Sequence, residues 1–316
     1  MGEFELIRQY FQPLAGNARK GQLVLGPGDD CAVQRVPPGR DLVFSVDTLV
    51  EGVHFPLQYS PDYLGWRALA VATSDLAAMG AEPVCFTLAL TLPVAEPGWL
   101  AGFSEGLAKA SSAFGIALAG GDTTRGPLTI SLQVHGTVVQ GLALRRSGAK
   151  PGDFVCVTGP LGDAGAALDY LDARKPTPMQ QALLSRYHYP QPRLDLGQAL
   201  VGKASSAIDI SDGLLADLQH ILDASNVGAE LDAAKVPLSE ALVQLKGRDA
   251  VTLALSAGDD YELCVTIAPQ VLAGLDQQVR DRLTIVGQVH REPGLRVVGA
   301  GGGMETRGFD HFGRSA

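Results

Sequence analysis

Six aspartates offer most of the chemistry in this 316-residue chain: Asp30, Asp47, Asp75, Asp122, Asp209 and Asp212. They stand beside Gly, Ser or Thr, in GPGDD (26–30), SVD (45–47), TSD (73–75), GGDTT (120–124) and DISDG (209–213). Adjacent carboxylates such as Asp29 and Asp30 repel, by roughly 4 kcal/mol at about 4 Å and an effective dielectric near 20. A divalent cation removes that cost, although an ordinary polar turn also accounts for the motif. Hard oxygen donors with few histidines select Mg²⁺ or Ca²⁺ over zinc or copper. Ca²⁺ favours one compact loop, and the EF-hand pattern is absent. Mg²⁺ keeps its waters and takes a few scattered carboxylates together with phosphate oxygens, which suits this dispersion. The residues therefore read as a multi-Mg²⁺ nucleotide site without a P-loop.

The elements that must position these groups follow from periodicity. In DLVFSVDTL (41–49), alternation predicts a strand with Leu42, Phe44 and Val46 on one face and Ser45 and Asp47 on the other. Two oxygen ligands side by side suit Mg²⁺, and a solvated strand face has the same pattern. A helix over 63–79 places Asp75 on the apolar face of Leu64, Ala68, Val71 and Ala72, where a carboxylate needs a partner. Alternatively, Ser74 and Asp75 cap a short helix over 76–79 that ends at Gly80. Phe4 to Phe11 reads as a short amphipathic helix, and Pro97 opens another that Gly115 closes. The glycines of GGDTTRGP (120–127) allow a backbone to approach a ligand, or form a hairpin turn. ALRRSGAKPGD (143–153) is basic and turn-forming, which places a domain boundary near Ser147 and divides the chain into 1–147 and 148–316. TGPLGDAG (158–165) lies between a strand and a helix and lacks the spacing of a nucleotide loop. Ser211 reads as the N-cap of a helix with Leu214, Leu218, Ile221 and Leu222 as its buried face. Asp259 and Asp260 form a second acidic Gly turn.

Composition narrows the partners. A net charge of −9 argues against a nucleic-acid backbone or an anionic membrane. The four cysteines, Cys31, Cys85, Cys156 and Cys264, are widely spaced and read as small core residues in a reduced compartment. No apolar run approaches the roughly 20 residues of a membrane helix, and the N-terminus lacks a signal-peptide core. A soluble, cytoplasmic protein is expected.

GPGDDCAV, SVDTLVEGVHF, SDLAAMGAEP, GGDTTRGP, RRSGAKPGD, AIDISDGL, GDDYELC and the terminal GFDHF occur in this order along nearly the whole chain. Together they resemble the thiamine-monophosphate kinases, of the aminoimidazole ribonucleotide synthetase and selenophosphate synthetase superfamily. The resemblance implies a two-domain α/β (α+β), PurM-like fold. Its N-terminal mixed sheet with helices would form a homodimer interface, and a C-terminal α/β domain would complete the substrate site. It implies ATP-dependent phosphorylation of thiamine monophosphate to thiamine diphosphate, with several Mg²⁺ ions and no dedicated general base. Asp30, Ser45, Val46, Asp47, Asp75, Asp122, Asp209 and Asp212 match its metal positions. Gly121, Asp122, Arg146 and Ser211 match its ATP positions, and His54, Asp259 and Phe309 those that contact thiamine monophosphate. The chain departs at Val46, where relatives can carry Thr and only the backbone carbonyl could serve, and at Asp259, one methylene shorter than the usual Glu. The alternatives are an ATP-dependent synthetase with another acceptor and a Mg-nucleotide sensor without turnover.

Overall fold

The computed structural model describes residues 3–17 and 21–299. The chain divides into two compact units, one comprising 1–76 and 81–143 and the other 77–80 and 144–316.

The first unit opens with α1 (Glu3–Leu6), which passes directly into a π turn, Ile7–Phe11, and a 3-10 turn, Gln12–Asn17. The helix expected over 4–11 thus forms without a break, but with π geometry from Ile7 onward. The core-facing residues Leu6 and Phe11 are five apart, the period of a π turn, and Pro13 cannot supply the amide that an α-helix would require. Strands β1 (Leu23–Leu25) and β2 (Val33–Gln34) pair antiparallel and carry the GPGDD turn between them. The larger sheet runs β3-β6-β4-β5, built from β3 (Arg40–Val50), β4 (Glu82–Leu92), β5 (Ala117–Arg125) and β6 (Thr129–Val139). Only the β4 and β5 pair is parallel. Helices α2 (Pro61–Ala78) and α3 (Pro97–Phe114) bury Leu64, Leu69, Leu76, Leu100, Phe103 and Leu107. Glu96 caps α3 by accepting from the Gly98 amide at 2.9 Å, and Gly115 ends it at φ 64°.

Along β3 the alternation is as expected but its orientation to solvent is the reverse of a simple amphipathic strand. Phe44 is 60% exposed and Val46 63%, whereas Ser45 and Asp47 lie on the half-covered side. The segment read as a Gly-rich loop or hairpin, GGDTT, is strand β5, and the chain turns later, at Gly126–Leu128.

The second unit is a six-stranded sheet in the order β12-β9-β11-β7-β10-β8. Its strands are β7 (Phe154–Val157), β8 (Ser206–Asp209), β9 (Gly228–Asp232), β10 (Leu263–Ile267), β11 (Thr284–His290) and β12 (Gly294–Val298). Helices α4 (Asp163–Ala167), α5 (Pro178–His188), α6 (Leu194–Leu200), α7 (Leu214–Ser225), α8 (Glu240–Lys246) and α9 (Ala250–Ser256) follow the chain between strands, with α10 (Pro269–Ala273) and α11 (Gln277–Arg280) before β11. Period-two alternation sends Val155, Val157 and Cys264 into a core with Leu214, Leu218, Ile221 and Leu222. Cys156, Leu263, Val265 and Ile267 enter a second core that includes Leu200 and Leu272. Three cysteines are buried as expected, and burial raises the Cys85 thiol to about 11 and Cys156 to about 12. Cys31 departs from that expectation: it is exposed, because the turn that carries it projects from the short β1–β2 ribbon rather than from a core strand.

Candidate functional site

In the first unit, Asp75 sits near the end of an unbroken 18-residue helix, so it does not cap a separate one. Its Oδ2 accepts a hydrogen bond from the Ser45 hydroxyl of β3. Strand and helix thereby bring two of the expected oxygen ligands into contact, and the half-covered face of β3 adds Asp47 two residues along. His54 follows on the turn after β3, where its Nδ1 accepts from the Val50 amide at 3.0 Å; that bond leaves Nε2 as the ring's other polar atom. The Val46 side chain is exposed on the opposite face of β3, so only its carbonyl is available to a ligand on this strand.

A cavity of about 940 Å³ in the same unit joins the other two motifs. Asp29, Asp30 and Cys31 line it from the GPGDD turn, and Gly121, Asp122 and Thr123 from β5. The Asp30 amide donates to Asp29 Oδ1 at 2.9 Å, which turns one of the two repelling carboxylates onto the backbone. Gly121 is needed for a different reason than ligand approach: a Cβ there would run into the Leu88 backbone on β4. The glycine thus lets the parallel strands close up, and Asp122 follows at the cavity wall.

In the second unit, β8 ends at the buried Asp209 and the chain turns through Ser211, Asp212 and Gly213 into α7. Ser211 is not the N-cap. Gly213 holds that place without a side-chain bond, and Asp217 in the first turn of α7 takes over the capping task. Its Oδ2 accepts from the amides of Ser211, Asp212 and Gly213 at 3.0, 3.0 and 3.1 Å. Burial, followed by the charge of Asp209 and then that of Asp212, pushes the Asp217 carboxyl up to about 7 against those amide bonds. Asp217 was not among the residues singled out from the sequence. An acidic residue four positions into a helix normally signals only a favourable dipole. Arg146 is exposed, and its carbonyl accepts from the Ser225 hydroxyl at 3.3 Å at the end of α7. Asp259 has φ 64° and its amide donates to the Ser211 carbonyl at 2.8 Å, so the two acidic turns of this unit are joined through their backbones. Phe309 and the GFDHF segment lie outside the described residues.

Residues 28–138 match the N-terminal domain of AIR synthase related proteins and residues 150–300 match the C-terminal domain. The thiamine-monophosphate kinase of Escherichia coli K12 is 44% identical over 98% of both chains. The chain belongs to the thiamine-monophosphate kinase family. A crystal structure of the thiamine-monophosphate kinase from Stenotrophomonas maltophilia, 43% identical, superposes with a TM-score of 0.84 over 90% of this chain and 93% of that one. The AaThiL complex with AMPPCP and TMP, 31% identical, gives a TM-score of 0.80 over 88% and 89%. This thiamine-monophosphate kinase family chain thus has the two-domain PurM-like fold.

The donor set fits Mg²⁺. It consists of carboxylates and a hydroxyl, the hard oxygen donors that this ion takes. Among the described residues, no three His, Cys, Asp or Glu side chains form a ready-made cage.

Proposed function

We propose that this chain transfers the γ-phosphoryl group of ATP to the phosphate of thiamine monophosphate, giving ADP and thiamine diphosphate. Full-length identity of 44% to an enzyme of that name carries the reading. The cavity lined by both Asp30 and Asp122 and the contact between Ser45 and Asp75 support it from the site itself. The acceptor oxygen is already ionised at neutral pH, so no side chain need remove a proton from it. Catalysis then rests on aligning two anions in line. Bound Mg²⁺ supplies charge neutralisation on the transferring phosphates. In the first unit Asp30, Ser45, Asp47, Asp75 and Asp122, with the Val46 carbonyl, would hold the metals, and Gly121 and Asp122 would border ATP. In the second unit Asp209 and Asp212 would contribute metal ligands, and Ser211 and Arg146 contacts to ATP. Arg146 suits phosphate because its guanidinium is exposed while its backbone is anchored. His54, Asp259 and Phe309 would contact thiamine monophosphate.

The direct test incubates the purified chain with ATP, Mg²⁺ and a panel of phosphorylated acceptors, and follows thiamine diphosphate and ADP. Thiamine diphosphate is expected with thiamine monophosphate alone, and its formation should stop when EDTA removes the metal. No product from thiamine monophosphate, or equal turnover of the other acceptors, would overturn the assignment.

The homodimer belongs to the same proposal. Strand β3 is at the edge of its sheet and shows a stripe of Leu42, Phe44 and Val46 to solvent, an apolar surface of the kind that a second copy would cover. Phe44→Glu is expected to shift the protein from dimer to monomer in light-scattering measurements at micromolar concentration; an unchanged mass would place the interface elsewhere. No helix of the described residues is long and apolar enough to cross a membrane. We place the reaction in the cytoplasm.

A further inference from the structure

The second unit contains a buried ionic network that none of the expected contacts uses. Glu262 is wholly buried immediately before β10. Its carboxylate accepts from Arg186 Nη2 at 2.6 Å and Arg193 Nε at 2.7 Å, with a second bond from Arg193 Nη2 that makes the Arg193 pair bidentate. The Thr158 hydroxyl donates to its Oε2 at 2.7 Å and in turn accepts from the Leu263 amide at 2.8 Å. Two residues before it, Asp260 turns its carboxylate to the TGPLGDAG loop, where both oxygens accept from the Gly162 amide at 2.9 and 3.0 Å. The Asp260 side chain thus holds this loop, and α4 beyond it is only five residues long. The loop also packs tightly over Glu262, since a Cβ on Gly159 would lie 2.6 Å from Glu262 Oε1.

The turn that contains Asp260 and leads into Glu262 would not hold its shape unaided. Gly258, Asp259 and Tyr261 have φ of 72°, 64° and 51°, and two of the three are not glycine. The Asp259 amide donates to the Ser211 carbonyl at 2.8 Å, the Tyr261 amide to the Ile210 carbonyl at 2.9 Å, and the Ile210 amide to the Glu262 carbonyl at 2.8 Å.

We propose that Asp260, Glu262, Arg186 and Arg193 are positioning residues that hold the left-handed 258–261 turn from within, at Asp260, and from its C-terminal end, at Glu262, and so fix Asp259 for the acceptor. The proposal deepens the function given above and rests on it for the identity of that acceptor. The clamp acts selectively on the acceptor because the neighbouring 211–213 loop has its own anchor in Asp217. Loosening the clamp therefore frees Asp259 more than it frees Ser211.

The test compares wild type with Arg193→Gln, Arg193→Lys, Asp260→Asn and the surface control Arg296→Ala. Arg296 pairs with Glu230 on the exposed side of β12 and β9. Amide exchange by mass spectrometry on the peptide covering 257–263 is expected to quicken by about tenfold in Arg193→Gln and Asp260→Asn. Arg193→Lys should fall between these and wild type, because an ammonium restores the charge without the fork. The KM for thiamine monophosphate should rise by about tenfold, the KM for ATP by less than about twofold, a split that general destabilisation does not produce. Arg296→Ala should match wild type throughout. Unchanged exchange in folded variants, equal rises in both KM values, or the same effects in Arg296→Ala would each overturn the clamp. Exchange needs no substrate: a wild type inactive on thiamine monophosphate would refute the functional reading, and the exchange result would still decide whether the network holds the turn.

Discussion

Replacing Asp75 by Asn is expected to lower kcat by about 10³-fold, the scale of losing one preorganised electrostatic group, with little change in stability. Asn has the same shape and its carbonyl oxygen can still accept from the Ser45 hydroxyl, so the contact between β3 and α2 survives. What is lost is the charge. Thermal midpoints should therefore agree within about 2 °C. Ser45→Ala should be milder, about 10- to 100-fold, if the hydroxyl mainly orients the carboxylate. Steady-state kinetics at saturating Mg²⁺ and ATP, beside thermal melts, decide the matter. An Asp75→Asn enzyme within tenfold of wild type would remove Asp75 from the site, whatever the rest of the motif does.

The second large effect concerns stability. Glu262→Gln leaves two arginines facing a neutral amide in a buried setting, and breaking such a pair costs about 3–5 kcal/mol. The pH dependence has a definite sign. Burial alone would raise the Glu262 carboxyl, but the bonds from Arg193 and the charges of Arg193 and Arg186, with help from Thr158, outweigh it and hold the group below its ordinary value. A folded-state pKa below the unfolded one means stabilisation that is complete above the unfolded value and lost as pH falls through the folded one. Asp217 and Asp260 work in the opposite direction, since both are raised, chiefly by burial. The difference between wild type and Glu262→Gln isolates the one carboxylate. In urea titrations the gap should be widest near pH 7 and narrow progressively as pH falls below the ordinary glutamate range, where the unfolded chain takes up the proton before the folded one does. A gap that stays constant down to pH 3 would contradict an ionised Glu262 at the centre of the network.

Local pattern made much of this protein legible. The strand at 41–49, the helix over 63–79, the helix opened by Pro97, the αL glycine after Phe114 and the apolar face of α7 depend on residues within one turn or one pleat of each other. Elsewhere local pattern misled. Ser211 has the chemistry of an N-cap, yet Asp217 can return three amide bonds at once with a longer reach, and a carboxylate in that geometry displaces a hydroxyl. GGDTT has the composition of a turn, but the backbone of β4 lies so close that glycine is required for strand pairing.

By itself the sequence determined many of the elements and, through motif order, the family. It left Asp75 between a cap and a ligand because both readings satisfy the same neighbours in the chain. Tertiary structure removed the cap by continuing α2 through it and supplied a hydroxyl from a strand 30 residues away. It also turned the apolar face of β3 outward and joined Arg186 and Arg193 to Glu262 across 76 and 69 residues. Hydrogen bonds and ion pairs depend on distance in space, and separation along the chain carries no trace of them until the sheets and helices have packed.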